Sequence, residues 1–405
     1  MSNKLNIESL VSVFSDGCKT KDKWSIGTEH EKFGFSNKDL KPINFNSIER
    51  IFDLLSKNYN WEKVLENNKV ISLKKNGSSI TLEPGGQLEL SGAPLKNLFQ
   101  TCGEVNTHKD ELNSVCKSLK INGVVIGVLK KWDLSKIEIM PKKRYEIMSK
   151  YMPKVGEHGL DMMMRTTTIQ ANFDFSSEED MKKKMRVAQS IQPCIIAMYA
   201  NSPFIDGKLT KFQSYRSYIW TKTDPNRTGL LKFIYENDFS FERYVNYLLD
   251  VPMYFIVRNG KYTDFTDKTF RQYLDNNSSE FLANLDDWKV HLTTVFPEVR
   301  LKSYIEVRGA DGGPWSRVCA LPAFWTGILY DEEILNTIWD ITRHWKFSDI
   351  ENFYNDVRTN GLNSKNPDGQ TLNKFIEKIL KYSKMGLSKR NIFKGNDNES
   401  IFLNP

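Results

Sequence analysis

Two Asn-Gly dipeptides constrain the fold of this chain most. Asn76-Gly77 stands between the β-prone runs VISL (70–73) and SITL (79–82), and Asn259-Gly260 interrupts VPMYFIVRNGKYTDF (251–265). Asn-Gly supplies the positive-φ pair of a tight hairpin turn, so each predicts two neighbouring antiparallel strands. A Pro-Gly-Gly turn at 84–86 leads into a further short strand, QLELS. WSIGTEHEKFGFS (24–36) reads as a strand, GVVIGVL (123–129) as a buried one and MMMRTTTIQANFDF (162–175) as a long central one. YIEVRGADGGPW (304–315) reads as a strand entering a Gly-rich turn. Helical periodicity covers 95–120, and SEED at 177–180 has the capping-box shape of a helix running to about Ala200. Helices are also predicted near 239–249, 283–292, 322–342 and 370–387, with loops at 359–370 and 394–400. Hairpins in place of regular βαβ units predict an α+β fold with a largely antiparallel sheet, without internal repeats or a clear linker.

At 405 residues the chain can bury a core without disulfide staples. Its 57 Lys and Arg against 50 Asp and Glu give +7, a mild excess that suits a small anionic substrate. The basic residues are scattered, and the tightest cluster, Lys182-Lys183-Lys184, lacks interleaved aromatics, which argues against a nucleic-acid partner. Five cysteines, an odd number with no CxxC, argue against a secreted disulfide framework and a structural zinc site. No early apolar run resembles a signal peptide and no stretch approaches a membrane span, so a soluble, cytoplasmic protein with no membrane partner is expected.

Charged residues recur at a spacing of two in strand-like segments. Glu29 and Glu31 of GTEHE share a strand face; they are either a wet outer face or a pair that a hard divalent cation such as Mg²⁺ would relieve. LEPGGQLELSG places Glu83 and Glu89 on either side of its turn, and YIEVRGADGG places Glu306 and Arg308 on one face. Carboxylates for Mg²⁺ and arginines for phosphates are what phosphoryl transfer from ATP needs, and no Walker sequence is present. MPKKRYEIM carries Lys142, Lys143 and Arg144; SYRSYIWTKTDPNRTG carries Arg216, Trp220, Asp224 and Arg227. Either basic segment is also compatible with a solvated helix end. His30 points away from its flanking glutamates and reads as structural.

GTEHEKFGF, LEPGGQLELSGAPL, QTCGEVNTH, MPKKRYEIMSKYMP, GLDMMMRTTTIQANFDFSS, WTKTDPNRTG, HLTTVFPEVRLKSYIEVRGADGGPW and CALPAFW, in this order over nearly all of residues 20–345, resemble the plant and proteobacterial glutamate–cysteine ligases. The resemblance implies a glutamine synthetase-like fold, a curved, mainly antiparallel sheet with helices packed outside, forming one catalytic domain over 1–405. Its C-terminal portion, about 320–405, is expected to be helical, with a final helix or two missing or never encoded. The implied activity is ATP-dependent joining of the γ-carboxylate of glutamate to the amine of cysteine through a γ-glutamyl phosphate, the first step of glutathione synthesis. The alternatives are another carboxylate–amine ligase of the same superfamily acting on a different amine, and a non-catalytic or nucleic-acid-binding protein on the same fold.

By the same resemblance, Glu29, Glu31, Glu83, Glu89 and Glu306 hold two or three Mg²⁺ ions. Arg144 and Arg216 grip the glutamate carboxylates, with Trp220 lining that pocket and Tyr254 helping to form the cysteine pocket. Gln170, Asn172, Arg227 and Arg308 serve ATP, and Arg308 and Arg216 are the catalytic residues. Cys102 and Cys319 match a cysteine pair that can form a disulfide. The second, dimer-linked pair of plant enzymes falls around 264–290, where this chain has no cysteine, so a monomer without that switch is expected. GVLKKW replaces the more usual Phe-Gln-Pro-Lys-Trp stretch near residue 131. No targeting extension precedes the match, so a cytoplasmic bacterial enzyme is expected, and Lys-, Asn- and Ile-rich usage suits an AT-rich genome.

Overall fold

The computed structural model describes residues 5–275 and 281–404. Its main sheet has nine strands: β1 (Ile26–Ser36), β2 (Glu62–Glu66), β3 (Lys69–Lys75), β4 (Ser78–Leu82), β5 (Leu88–Ser91), β6 (Ile121–Val124), β7 (Thr168–Phe173), β8 (Val299–Leu301) and β9 (Ile305–Asp311). Their order is β8-β9-β7-β1-β5-β4-β3-β2, with β6 on the far half of β1, and every pairing is antiparallel. The α+β, antiparallel expectation is met. Both Asn-Gly turns form: Asn76 and Gly77 link β3 to β4, Asn259 and Gly260 link Phe255–Arg258 to Lys261–Asp264, and all four have positive φ.

Period-two alternation divides the sheet into two faces. On the back, Ile26 and Thr28 of β1, Leu88 and Leu90 of β5, and Ile169, Ala171 and Phe173 of β7 are buried. After α1 (Ile7–Ser15) and α2 (Phe45–Tyr59), the helices that cover this face are α3 (Leu98–Ser118), α6 (Glu178–Tyr199) and the helix Trp315–Leu329. On the front lie α4 (Lys143–Val155), α5 (Gly159–Arg165) and α7 (Tyr215–Thr221). His30 is on the back, edge-on to Trp315 at 5.3 Å, as the alternation requires.

Two strand readings are corrected. Residues 162–175 are not one strand: Met162–Arg165 belong to α5, where methionine is a good helix former and Asp161 pairs with Arg165 one turn on. The strand at 123–129 stops at Val124, because beyond it the backbone of Gly127 and Leu129 bonds to Asn201, Thr167 and Arg165 in place of β1. The 322–342 helix is two, Trp315–Leu329 and Glu332–Thr342, the second capped by Asp331 accepting from the Ile334 N–H.

Candidate active site

Register alone brings the polar front-face residues together. Glu31 stands opposite Glu89, which stands opposite Thr81; Glu29 stands between Ser91 and Gln170; Asn172 stands opposite Glu306, which stands opposite Arg300. These rows line, or lie against, a cavity of about 410 Å³. Gln87 fixes the turn between β4 and β5: its side-chain oxygen accepts from the Gly85 N–H and its amide donates to the Met163 and Thr166 carbonyls. Gly85 has no room for a side chain, since a Cβ would sit 2.3 Å from the Met164 carbonyl oxygen.

One wall is acidic. Glu29, Glu31, Glu83 and Glu89 all face the cavity. Their contacts are mostly neutral: Thr81 Oγ1 donates to Glu89 (2.8 Å), the Thr168 N–H to Glu31 (3.0 Å), Asn172 Nδ2 to Glu29 (2.7 Å) and the Tyr145 hydroxyl to Glu83 (3.3 Å). Burial and the neighbouring Glu83 push the Glu31 carboxyl up to about 8, although Arg216 and Arg308 pull against them. Burial, Glu83, Glu29 and Glu31 push Glu89 well above the carboxylate range. A hard divalent cation with oxygen ligands would relieve both, so this donor set fits Mg²⁺. Among the described residues no group of three or more acidic, histidine or cysteine side chains is placed to hold a metal ion.

The facing wall is cationic. Glu306, fully buried, accepts from Arg300 Nη2 at 2.7 and 2.6 Å, pairs with Lys302 Nζ at 2.9 Å and is bonded by Arg308. Burial would raise its pKa, but Arg300, Lys302 and Arg308 hold it well below the carboxylate range. This differs from the expected fifth metal ligand, since both oxygens already have cations. Arg308 also donates to Gln170 Oε1 (2.5 Å), and its guanidinium lies 5.7 Å from the Trp220 ring.

Arg216 and Trp220 enter the cavity from α7, which Asp311 positions. The buried Asp311 accepts from Ser202 Oγ (2.6 Å), Ser214 Oγ (2.7 Å) and the Asn201 N–H (2.8 Å). Ser214 caps α7, and Ser202 Oγ accepts the Arg216 N–H at 3.0 Å. Arg216 Nη2 donates to the Arg308 carbonyl (3.0 Å), while its buried Nε has no partner. Arg144, on α4, likewise lines the cavity with an unpartnered Nε.

The sequence profile of glutamate-cysteine ligase family 2 matches residues 25–369. The chain belongs to this family. It is 51% identical to the chloroplastic glutamate–cysteine ligase of Brassica juncea over 389 residues, covering 95% of this chain and 76% of that protein. It is also 51% identical to the chloroplastic enzyme of Medicago truncatula, covering 99% of this chain and 78% of that one. The fold is shared with the glutamate–cysteine ligase of Francisella tularensis, solved in complex with AMP, at a TM-score of 0.57 and 13% identity, covering 94% of this chain and 80% of that one. These plant relatives are named as chloroplastic enzymes, which overturns the cytoplasmic expectation.

Four expected site residues of this family member do not line the cavity: Asn172 and Glu306 lie against it on the front-face rows, and Arg227 and Tyr254 stand apart from it. Arg227, fully buried, spends its guanidinium on Asp224 (2.6 Å) and the Thr294 and Pro252 carbonyls (3.0 and 2.8 Å). Each of its three nitrogens is thus engaged inside the core, away from the cavity. Its guanidinium carbon lies 4.0 Å from the ring centroid of Tyr254, whose hydroxyl reaches Met152 Sδ at 3.6 Å, so the expected cysteine-pocket tyrosine is a core residue. Conversely, Lys142, Arg300, Lys302 and Tyr304 line the cavity and are not among the site residues expected from the sequence. The last three continue the two-residue spacing of Glu306 and Arg308 backwards through VRLKSYIEVR, a signal that was legible. Cys102 and Cys319, free thiols on two back-face helices, hydrogen-bond to one another; accepting from Cys102 lowers the Cys319 pKa.

Proposed function

We propose that this chain is an ATP-dependent glutamate–cysteine ligase, with the whole chain as one catalytic unit and its acidic and cationic walls as the two halves of a phosphoryl-transfer site. The observation that carries the reading is one cavity in which Glu29, Glu31, Glu83 and Glu89 face Arg144, Arg216 and Arg308. The unpartnered Nε groups of Arg144 and Arg216 suit the two carboxylates of glutamate, with Trp220 as an apolar side. Arg308, oriented by Gln170 and Glu306, meets the transferred phosphoryl group, and Asn172 holds Glu29 in place. The four glutamates would hold Mg²⁺, two or three ions, which supplies charge neutralisation to the ATP phosphates. Glu306 joins them only by giving up one of its cations.

The γ-carboxylate of glutamate attacks the γ-phosphorus of ATP, and ADP leaves. Arg308 stabilises the charge spread over the transferring group. The γ-glutamyl phosphate is then attacked by the cysteine amine, phosphate departs and an amide remains. Met148, Met162 and Met163 give the cavity an apolar, polarisable side for a thiol. With Tyr254 outside the cavity, the amine-side pocket rests on these residues, so the test uses a panel of amines. ATP, glutamate and Mg²⁺ with cysteine should give γ-glutamylcysteine, and other amino acids should release phosphate at least about tenfold more slowly, a difference of roughly 1.4 kcal/mol. Equal rates across the panel would transfer the assignment to another carboxylate–amine ligase. We also assign Cys102 and Cys319 as the pair that an oxidant closes.

A further inference from the structure

The β8–β9 turn holds a cation that Glu306 does not need. Arg300 alone satisfies both Glu306 oxygens and the Val295 carbonyl (3.1 Å). Arg308 adds a second cation and Lys302 a third; Glu29 acts on Arg300 and Glu31 on Arg308 across the cavity, while the acid paired with Lys302 is the Glu306 it shares with both arginines. Keeping a spare cation partly out of water is unfavourable unless an anion arrives. Lys302 is the most open of the three, with 23% of its side chain exposed against 8% for Arg300 and 11% for Arg308.

Its position is fixed. The Lys302 N–H donates to the Tyr304 carbonyl (2.7 Å), closing the turn, and Lys302 Nζ donates to the Tyr304 hydroxyl (3.2 Å). Gly17 packs so tightly on the turn that a Cβ would stand 2.3 Å from the Ser303 carbonyl oxygen. Lys302 Nζ sits on Glu306 Oε2, and Arg308 Nη1 on Oε1. One carboxylate therefore holds the two cations side by side, as neighbouring phosphates of a polyphosphate would require.

We infer that Lys302 is a phosphate-binding residue, aligned by Glu306 and Tyr304 to meet the β-phosphate of the nucleotide while Arg308 meets the γ-phosphate. This rests on the ATP reading above. Because charge moves onto the β-phosphate as ADP departs, Lys302 would also favour the leaving group.

The test is calorimetric titration of the full chain with ADP and, separately, with AMP, each in excess Mg²⁺. Lys302→Met leaves Glu306 paired with two arginines, so the variant should keep the wild-type melting temperature. It should bind ADP about tenfold more weakly, as expected for one charge-assisted contact, and AMP within about twofold of wild type. Lys302→Arg should restore most of the ADP affinity. Unchanged ADP binding in Lys302→Met, equal losses for ADP and AMP, or a wild type that binds ADP no better than AMP would each overturn the inference. A wild type that binds ADP but makes no γ-glutamylcysteine would instead remove the ligase reading and leave the Lys302 result standing.

Discussion

The two walls of the cavity are oppositely balanced: the glutamates of one are half-buried, and Glu306 behind the other is fully buried. On the acidic wall Glu31 rises to about 8 and Glu89 rises well above its ordinary range, each through burial first and neighbouring carboxylates second. On the other wall Glu306, also buried, is driven down by three cations. Burial acts in the same direction on all three, so the neighbours decide the sign. One wall is complete within the chain and has positive charge to spare. The other gathers carboxylates whose mutual repulsion a cation would relieve.

The largest effects should fall on the acidic wall and appear in turnover, not stability. Glu29→Gln and Glu89→Gln should each lower kcat by about a hundredfold or more while leaving the melting temperature within a degree or two, because an amide keeps the shape and removes repulsion. Near-normal turnover at saturating Mg²⁺ in both would break the metal assignment. Glu306→Gln should do the reverse. Three cations would lose their shared anion, and a denaturation curve should show a loss of about 3 kcal/mol, in the range seen when one partner of a buried ion pair is removed. Equal melting behaviour of Glu306→Gln and Glu89→Gln would erase the contrast between the walls.

Arg216→Lys comes next. A point charge replaces a planar fork at a position fixed by Ser202, Ser214 and Asp311, so KM for glutamate should rise and kcat should fall, about tenfold together in kcat/KM. Unchanged steady-state constants would remove Arg216 from the substrate grip. A pH effect on stability, measured with chelator present, tests the burial of the acidic wall separately from turnover. The folded Glu31 keeps its proton up to about pH 8, while in the unfolded chain it is lost near the ordinary carboxylate value. Between about pH 5 and 8 the folded state thus binds more protons than the unfolded one, and stability should fall as pH rises. Mg²⁺ should flatten that slope, and so should Glu31→Gln. A flat wild-type curve in chelator would refute the burial argument.

Much of this contrast was legible in the sequence because strands place every second residue on one face. The spacing of Glu29 with Glu31 and of Glu306 with Arg308 marked the front face, and Asn76-Gly77 and Asn259-Gly260 marked the hairpins. Depth within the chain was not legible. Arg227 sits in a polar segment, WTKTDPNRTG, that reads as exposed; only folding brings Asp224, Thr294 and Pro252 around it. Met162 to Arg165 were hidden by the following threonines, whose β-branched run masked the end of α5. The Glu306 hub was half visible: Arg300 and Lys302 carried the spacing, but a turn separates them from the strand that carries Glu306.

The smallest expected effect on activity lies behind the sheet. Cys102, on α3, and Cys319, on the helix Trp315–Leu329, already hydrogen-bond as thiols, and both helices pack on the back of β1. A bridge between them would tie these helices together without touching a cavity residue, so it can reach Glu29 and Glu31 only through the strand that carries them. Oxidised and reduced enzyme should therefore differ by no more than about threefold in kcat/KM, a difference of less than 1 kcal/mol. Cys102→Ser should respond to neither oxidant nor reductant. Oxidation should also leave the elution volume unchanged, because the bridge is internal and residues 264–290 carry no cysteine. Thiol labelling under denaturing conditions reads the bridge directly: two fewer reactive thiols are expected after oxidation of wild type, and none lost in Cys102→Ser. If oxidation consumes no thiols, the two cysteines serve only as packing between the helices. If it closes the bridge and turnover falls a hundredfold, the back of the sheet controls the acidic wall far more strongly than rigid packing on β1 would allow.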